Sequence, residues 1–490
     1  MPAACRKQNS IAAAQAVKST LYYKTCAPEV DSRRGCVEPR PSFMYFFYRI
    51  LTAVGMLLLV PYYALRTWTR GERSHALAER LGSLPPEIES RAGAASAAGD
   101  STARPIWIHA VSVGEVLAAK PLVEGLKRRF PERGVFVSTT TETGQRLARE
   151  RLQSADAIFY FPLDWIVPVR RALSAMRPSL VIVMETEIWP NFLREARRRG
   201  VPVVFANARI SERSFARYNR WKFLVGEFFK RVLQDGERFL AQTPEDALRL
   251  SEMGAPEGSV EVTGNLKYDG EQPDFGPLGI WLEDQIRRQE RWPVLVAGSV
   301  VAEEEEAVLA AYDIVQRQWR HALMILAPRK PDRFEAAAAI ATADGWHAVR
   351  RSGIDFNAPL DENADIVVLD TIGELAGLYL LADAAFVGGS LVPAGGHNIL
   401  EPAWFAKPPV FGPSMENFRD MAAQFLSAKA AVQVSSGPQL GAVWVQLIQN
   451  SPLRERMGRA ALQLSERNRG ATARSLDRIA EVLARQRSAA

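Results

Sequence analysis

Cysteine is nearly missing from this 490-residue sequence: Cys5, Cys26 and Cys36 are its 3, all near the start. The body of the chain can therefore carry neither a disulfide framework nor a thiolate metal site, and a reducing compartment suits it. Histidine is scarce as well. The 5 present show no HxxxH spacing, and no two aspartates form a DxD pair of the kind that holds Mg²⁺ or Mn²⁺ beside a nucleotide. Chemistry with no bound metal and no cofactor is the expectation. Clustered basic sequence is missing too. The net charge of +6 calls for anionic partners, but Lys and Arg are spread out and not interleaved with aromatics, so a membrane surface or a phosphorylated substrate suits the chain better than nucleic acid.

What is abundant is apolar sequence, 47% of the chain, enough for two ordinary domains with sizeable cores. Residues 1–43 differ: polar, alanine-rich and aperiodic, they read as a disordered extension. From Met44 the run MYFFYRILTAVGMLLLVPYYAL offers the ~20 residues that a helix needs to cross a bilayer. Tyr45, Phe46, Phe47, Tyr48, Tyr62 and Tyr63 flank its apolar centre like interfacial anchors. Residues 44–70 thus read as a membrane anchor, and Arg66, Arg70, Arg73 and Arg80 place the rest of the chain on the cytoplasmic side. A buried core helix is the competing reading, favoured by Arg49 and Pro61.

After the low-complexity run Ala92–Arg104, short apolar runs alternate with helical patterns. The strands expected in the first half are Ile106–Val111, Val135–Thr139, Ile158–Pro162, Leu180–Met184, Val203–Ala206 and Phe239–Gln242. In the second half they are Val294–Ala297, Leu323–Ala327, Ile366–Leu369, Ala384–Val387 and Val410–Gly412, beyond a polar connection over Gly270–Gly276. Short, continuously apolar strands separated by helices mean parallel sheets covered on both faces. Two doubly wound domains, 71–270 and 271–490, then face a cleft at the carboxyl ends of their strands. Leu453–Arg485 reads as one terminal packing helix. The acidic run Glu303–Glu306 reads as a solvated first helical turn.

Chemistry-bearing residues gather at the strand ends. Glu115, in SVGE, comes just after the first strand and either faces the cleft or stabilises a helix N-terminus; from spacing alone the second role is favoured. In METEIWPN, Glu185 and Glu187 share one side of a strand end. Lys267, in GNLKYD, is a lone cation at the cleft mouth. Arg329 directly succeeds a strand, where a guanidinium can fork onto phosphate. DTIGEL offers Gly373 backbone and the Glu374 carboxylate. The run GGSLVPAGGHNILE, Gly388–Glu401, carries glycines between a strand and a helix, where backbone can approach a phosphate or sugar and the helix can aim free N–H groups at it. Asn398 and Glu401 also have the spacing of a capping box.

SVGE, TTTETG, METEIWPN, NARISERS, QTPED, GNLKYD, DTIGEL, and GGSL with GGHNILEP beyond it resemble, in order and spacing, the motifs of the Kdo (3-deoxy-D-manno-octulosonic acid) transferases, from about Met44 onward. The resemblance implies an α/β GT-B fold, two facing Rossmann-like domains with an N-terminal membrane-anchor helix. It implies transfer of Kdo from CMP-Kdo to lipid IVA, a lipid A precursor, at the cytoplasmic face of the inner membrane. It further implies Glu115 as general base, Glu185 and Lys267 as transition-state supports, and CMP contacts at Pro328, Arg329, Ile372, Gly373, Glu374, Asn398, Ile399, Leu400 and Glu401. Two departures stand out: Val300-Val301-Ala302 replaces a Thr-His-Pro-Gly run after Ser299, and Lys330 takes a histidine's place. The alternatives are a nucleotide-sugar epimerase, which would turn over without lipid, and a non-catalytic nucleotide-sugar sensor. A chain that begins at Met44 is expected to keep full activity in a membrane assay, since the anchor pattern starts there.

Overall fold

The computed structural model describes residues 45–56, 74–97, 103–270 and 272–489. Residues 45–56 are helical. Among the described residues no helix is long and apolar enough to cross a membrane; residues 57–70, which complete the expected anchor, lie outside them, as does the extension 1–43.

The apolar runs build two sheets, and every strand pairing in both is parallel. The first contains β1 (Ile106–His109), β2 (Val135–Thr139), β3 (Ala157–Tyr160), β4 (Leu180–Met184), β5 (Val203–Ala208), β6 (Arg238–Ala241) and β7 (Val260–Val262), in the order β3-β2-β1-β4-β5-β6-β7. The second contains β8 (Val294–Val300), β9 (Leu323–Pro328), β10 (Ala348–Arg350), β11 (Ile366–Val368), β12 (Ala384–Val387), β13 (Pro409–Phe411) and β14 (Val432–Gln433), in the order β10-β11-β9-β8-β12-β13-β14. Each sheet reverses its winding once, between β1 and β4 and between β8 and β12, and such switch points place ligands beyond the strands' carboxyl ends. The central strands β1, β2, β4 and β5 are buried along their whole length, which is why they read as continuous apolar runs. β7, β10 and β14 are edge strands of 2 or 3 residues with half-exposed side chains, and their sequences carry no such run.

The terminal helix differs from expectation. It is two helices, Ser451–Arg467 and Ala471–Ala489, parted at Gly470, whose φ is +88°. The first packs on the second lobe, with Met457 and Ala461 in its cores. The second crosses back: Ala471, Ile479, Val482 and Leu483 are buried with Leu122, Leu126 and Leu180 under the first sheet. An apolar stripe must be covered by some surface, and nearness in sequence does not choose which. The last helix therefore belongs to the first lobe's core, not to 271–490 alone.

The chain thus passes between lobes twice, and the two passages bind each other. The Asp269 carboxylate accepts from Gly470 N–H at 2.6 Å and from Thr472 N–H, and Arg474 Nε donates to Thr263 O at 2.8 Å. Tyr268 plugs into the second lobe's core, its hydroxyl 3.2 Å from Gln424 Oε1. Ile479→Ala is expected to destabilise the first lobe by about 2–5 kcal/mol through the cavity it leaves, readable as a lower denaturation midpoint in urea.

Candidate active site

β1 runs out at His109, and Ala110–Ser112 turn the chain into the helix Val113–Arg129 with Ser112 as its N-cap. Glu115, in the first turn, is 5% exposed. One carboxylate oxygen accepts the Val111 N–H at 2.8 Å, the other accepts the Ser112 hydroxyl at 2.8 Å, and Ser112 Oγ accepts the Glu115 N–H at 3.4 Å. The capping role read from spacing is real. It leaves each carboxylate oxygen a further lone pair. Burial first, then the neighbouring Glu185, pushes Glu115 up to about 7, against the pull of its hydrogen bonds. TTTETG supports the turn: Thr141 caps the next helix and its hydroxyl lies 3.2 Å from Val111 O, as donor.

Glu185 sits one residue past β4 at φ +54°, a left-handed conformation that costs a non-glycine residue about 1–3 kcal/mol and tends to mark functional sites. Its N–H is tied to Ala206 O at 2.8 Å. Glu187 is raised by burial and then by Glu185. Lys267 Nζ lies 3.7 Å from Glu185 Oε1, donates to Asn417 O of the second lobe at 3.4 Å, and stands 5.3 Å from the centroid of the Phe418 ring. It also overlies the first turn of Glu115's helix, since a Cβ on Gly114 would be 3.9 Å from Nζ.

Residues not singled out by spacing aim this cation. Asn265 Oδ1 accepts from Lys267 N–H and Asn207 Oδ1 from Leu266 N–H, both at 3.0 Å. Asn207, at φ +56°, lies where β5 slips register against β6, and Gln242 Nε2 donates to its carbonyl at 3.0 Å. Asp246 accepts from Ile210 N–H at 2.8 Å, and Thr186 grips Arg209 O at 2.6 Å and Arg209 N–H at 2.9 Å. NARIS, QTPED, METE and GNLK therefore form one hydrogen-bonded rim. The available signal was asparagine and threonine at strand ends, where such side chains satisfy loop backbone.

In the second lobe the glycine-rich turn departs from expectation. The N–H groups of its first residues are already taken: the Glu304 carboxylate accepts from Gly389 at 2.6 Å, Ser390 at 2.8 Å and Leu391 at 2.7 Å, and from Val301 outside the turn at 3.1 Å. The run Glu303–Glu306 is thus only half a solvated turn: Glu303 and Glu306 are exposed, but Glu304 is wholly buried in this nest and Glu305 is buried against Arg333 at 2.9 Å. Nor does a long helix succeed the turn. Leu400–Ala403 is 4 residues, too short to aim a dipole of any size. Gly388 is needed for close approach, since a Cβ there would stand 2.6 Å from Ser299 O.

The predicted nucleotide contacts fall into two groups. Arg329 comes directly after Pro328, the last residue of β9, and its charge acts on both His397 and Glu401. Burial lifts Glu401 to about 7, while its hydrogen bond from Asn398 and the Arg329 charge pull it down. Burial, then Arg329, lowers His397 to about 4, so its ring is neutral. Asn398 Oδ1 accepts from Leu400 N–H at 3.1 Å. Ile399 and Leu400 are wholly buried in the core, leaving only their backbone for a ligand. In the other group Ile372 is exposed and Gly373 takes φ +99°, while the Glu374 carboxylate is held by Arg351 at 3.1 Å and by Thr371.

The two lobes meet at this site. Asn417, which receives Lys267 on its carbonyl, donates its own N–H to Gly395 O at 2.9 Å, and Gly396 N–H reaches Gly389 O at 2.7 Å. Arg209 of the first lobe lies 3.5 Å from Asp420 of the second. Glu185, Lys267, Asn417 and the glycine-rich loop thus form one contiguous chain of contacts, with Glu115 within electrostatic reach of Glu185. Among the described residues no group of 3 or more His, Cys, Asp or Glu is gathered to hold a metal ion.

Two doubly wound lobes with their ligand-binding edges turned together define the GT-B class. The sequence pattern of the 3-deoxy-D-manno-octulosonic-acid transferases matches residues 75–270. The chain is 32% identical to the 3-deoxy-D-manno-octulosonic acid transferase of Haemophilus influenzae over 90% of its own length and 99% of that protein. It is 34% identical to the same-named protein of Bordetella pertussis over 87% of its length and 97% of that protein. Among solved structures it resembles the C-terminal CMP-Kdo binding domain of WaaA from Acinetobacter baumannii, with a TM-score of 0.35 and 27% identity, over 38% of this chain and 97% of that one. The chain belongs to the Kdo transferase family, and is a glycosyltransferase of that family.

Glu304→Ala is expected to destabilise the second lobe by roughly 3 kcal/mol or more, as four N–H groups lose their acceptor together. Urea unfolding would register the loss, and hydrogen exchange at residues 388–391 would accelerate, whereas Glu304→Gln, which keeps one acceptor oxygen, would do less of both.

Proposed function

We propose that this chain transfers Kdo from CMP-Kdo to lipid IVA and releases CMP, with inversion at the anomeric carbon, at the cytoplasmic face of the inner membrane. The observation that carries the reading is Glu115: a carboxyl raised to about 7, at the carboxyl end of β1, within electrostatic reach of Glu185, whose backbone is left-handed and whose carboxylate lies 3.7 Å from Lys267. Glu115 is the general base. A base with a pKa near the working pH is ionised in useful proportion and still accepts a proton readily. The acceptor hydroxyl gives its proton to Glu115 as its oxygen bonds to the anomeric carbon; the bond from that carbon to the phosphate oxygen breaks, and CMP leaves with the electron pair. Charge growing on the phosphate is met by Lys267 and Arg329. Pro328 and Arg329, the Ile372–Glu374 turn and Asn398–Glu401 hold the CMP, the middle residues of the last segment through backbone.

Membrane attachment gives this chemistry its geometry, because an acceptor with acyl chains presents its headgroup at the bilayer surface and a tethered active site meets it there. Residues 44–70 serve as the tether.

Glu115→Gln should lower turnover about 10² to 10⁴-fold with CMP-Kdo binding retained by calorimetry. In the parent enzyme kcat/KM should rise with pH through about 7 and level off above, because the base must be deprotonated. Stability carries the opposite sign. A carboxyl whose folded pKa is raised from 4.5 to about 7 contributes stability that is complete below the lower value and lost as pH rises through the upper one. Glu115→Gln, neutral at all pH, is therefore expected to keep or raise the melting temperature at pH 8. Unchanged turnover in that variant would reduce Glu115 to a helix cap.

A further inference from the structure

Asp370 and Glu374 bracket the turn at residues 371–373, and both carboxylates reach back to one short segment, residues 350–352. Asp370, its side chain almost wholly buried, accepts from Arg350 Nε at 2.9 Å, from Ser352 N–H at 2.7 Å and from the Ser352 hydroxyl. That fixes the backbone on either side of Arg351. Glu374 accepts from Arg351 Nε on both oxygens at 3.1 Å, from Arg351 Nη2 on Oε1 at 3.1 Å, and from the Thr371 hydroxyl. The ordinary task of an acidic side chain at a helix start is to cap it. Glu374 does not do so: it precedes the helix Leu375–Leu378 and makes no capping bond to it. Its hydrogen bonds run across the end of the sheet instead.

Arg351 is itself held in place. Its guanidinium carbon lies 4.7 Å from the centroid of the Phe356 ring, and Phe356 packs on Trp281 at 5.7 Å. One face of the guanidinium is thus backed by an aromatic ring, while the edge carrying Nε and Nη2 forks onto Glu374. An ion pair free in solvent fixes little, but a forked, part-buried one with a preorganised donor fixes its acceptor as well. The tip of the turn, by contrast, stands clear of the protein: Ile372 is 68% exposed, and a Cβ built on Gly373, at φ +99°, would meet nothing within 4 Å. A glycine-containing turn in open space could take several shapes, so it meets a ligand in one register only if something holds it. β11 leads into this turn and pairs with β9, which ends at Pro328 just before Arg329. The turn and Arg329 therefore stand on neighbouring strand ends.

We infer that Arg351 is a positioning residue for the nucleotide: through the Glu374 carboxylate it locks residues 372–374 in the conformation that receives CMP, and it touches no substrate itself. The inference rests on the CMP contacts proposed above. Arg351 governs donor affinity and leaves the chemistry at Glu115 and Lys267, on the other lobe, unaltered.

Calorimetry with CMP and steady-state kinetics on the full chain test it. Arg351→Gln should weaken CMP binding and raise KM for CMP-Kdo by about 10-fold, with kcat at saturating donor within about 2-fold of the parent. Arg351→Lys, which keeps the charge but not the fork, should recover only part of the affinity. The deciding comparison is made in Glu374→Ala, where adding Arg351→Gln should cost no further CMP affinity, since groups that act as one unit are not additive. A further loss of about 10-fold in that background would overturn the inference by showing that Arg351 meets the nucleotide directly. Parent-like CMP affinity in Arg351→Gln would overturn it too, as would a fall in kcat with KM unchanged. Phe356→Leu removes the ring behind the guanidinium and keeps both charges; unchanged CMP affinity in both Phe356→Leu and Arg351→Lys would overturn the inference even were Arg351→Gln not to fold. Absence of CMP binding by the parent protein would overturn the CMP reading and this inference with it, whereas CMP binding that Arg351→Gln leaves intact overturns the inference alone.

Discussion

Two carboxyls close together in a poorly solvated cleft must be relieved by a proton or by a cation; here burial and Glu185 raise Glu115 to about 7, and the Lys267 ammonium stands beside Glu185. It lies 3.7 Å from Glu185 and over the first turn of the helix that carries Glu115. The geometry is enforced from several directions at once. Glu185 keeps a left-handed backbone because its N–H is tied into the sheet edge, and Lys267 keeps its place because Asn207 and Asn265 hold the backbone on either side of it. A conformation that costs free energy locally persists only when its surroundings over-determine it. Here the surroundings are the family's own motifs, whose Asn207, Asn265, Thr186 and Asp246 side chains hold loop backbone in place.

The same ammonium also joins the lobes. Its bond to Asn417 O connects the first lobe's carboxylates to a turn whose N–H holds Gly395, so a displacement of the glycine-rich loop is felt at Lys267 through a single residue. Among the described residues, polar contacts on the facing rims include Lys267 with Asn417 and Arg209 with Asp420. The firm connection is elsewhere, where Asp269, Gly470, Thr472 and Thr263 bind the two crossing segments together.

Much of the fold was legible in the sequence. The central strands are buried on both faces, so burial wrote itself into uninterrupted runs such as Leu180–Met184; β10 and β14, short and at sheet edges, had no reason to. The position of Glu115 could be read, but its environment could not, because spacing gives a capping role and only tertiary structure brings Glu185 within electrostatic reach. Glu303–Glu306 failed for a related reason. Four consecutive acids look solvated on any local rule, and a buried carboxylate reveals itself only through partners that lie far along the chain. The terminal helix shows the limit of order in sequence: Ile479, Val482 and Leu483 announce a stripe to be buried, and nothing near them names the surface.

Glu304 also changes how the glycine-rich turn should be understood. A row of backbone N–H groups is an anion site whatever anion fills it, and here the chain supplies its own carboxylate from the facing helix end. The N–H groups of Gly389, Ser390 and Leu391 are thus satisfied within the chain, and Gly388 and Gly389 are required for packing against Ser299 O and His397. Beside the turn, the Arg329 charge acts on two groups, Glu401, which burial raises to about 7, and His397, which burial and Arg329 lower to about 4. The glycine-rich turn is therefore a frame built by the chain's own carboxylate, and its glycines are fixed by packing as much as by any ligand.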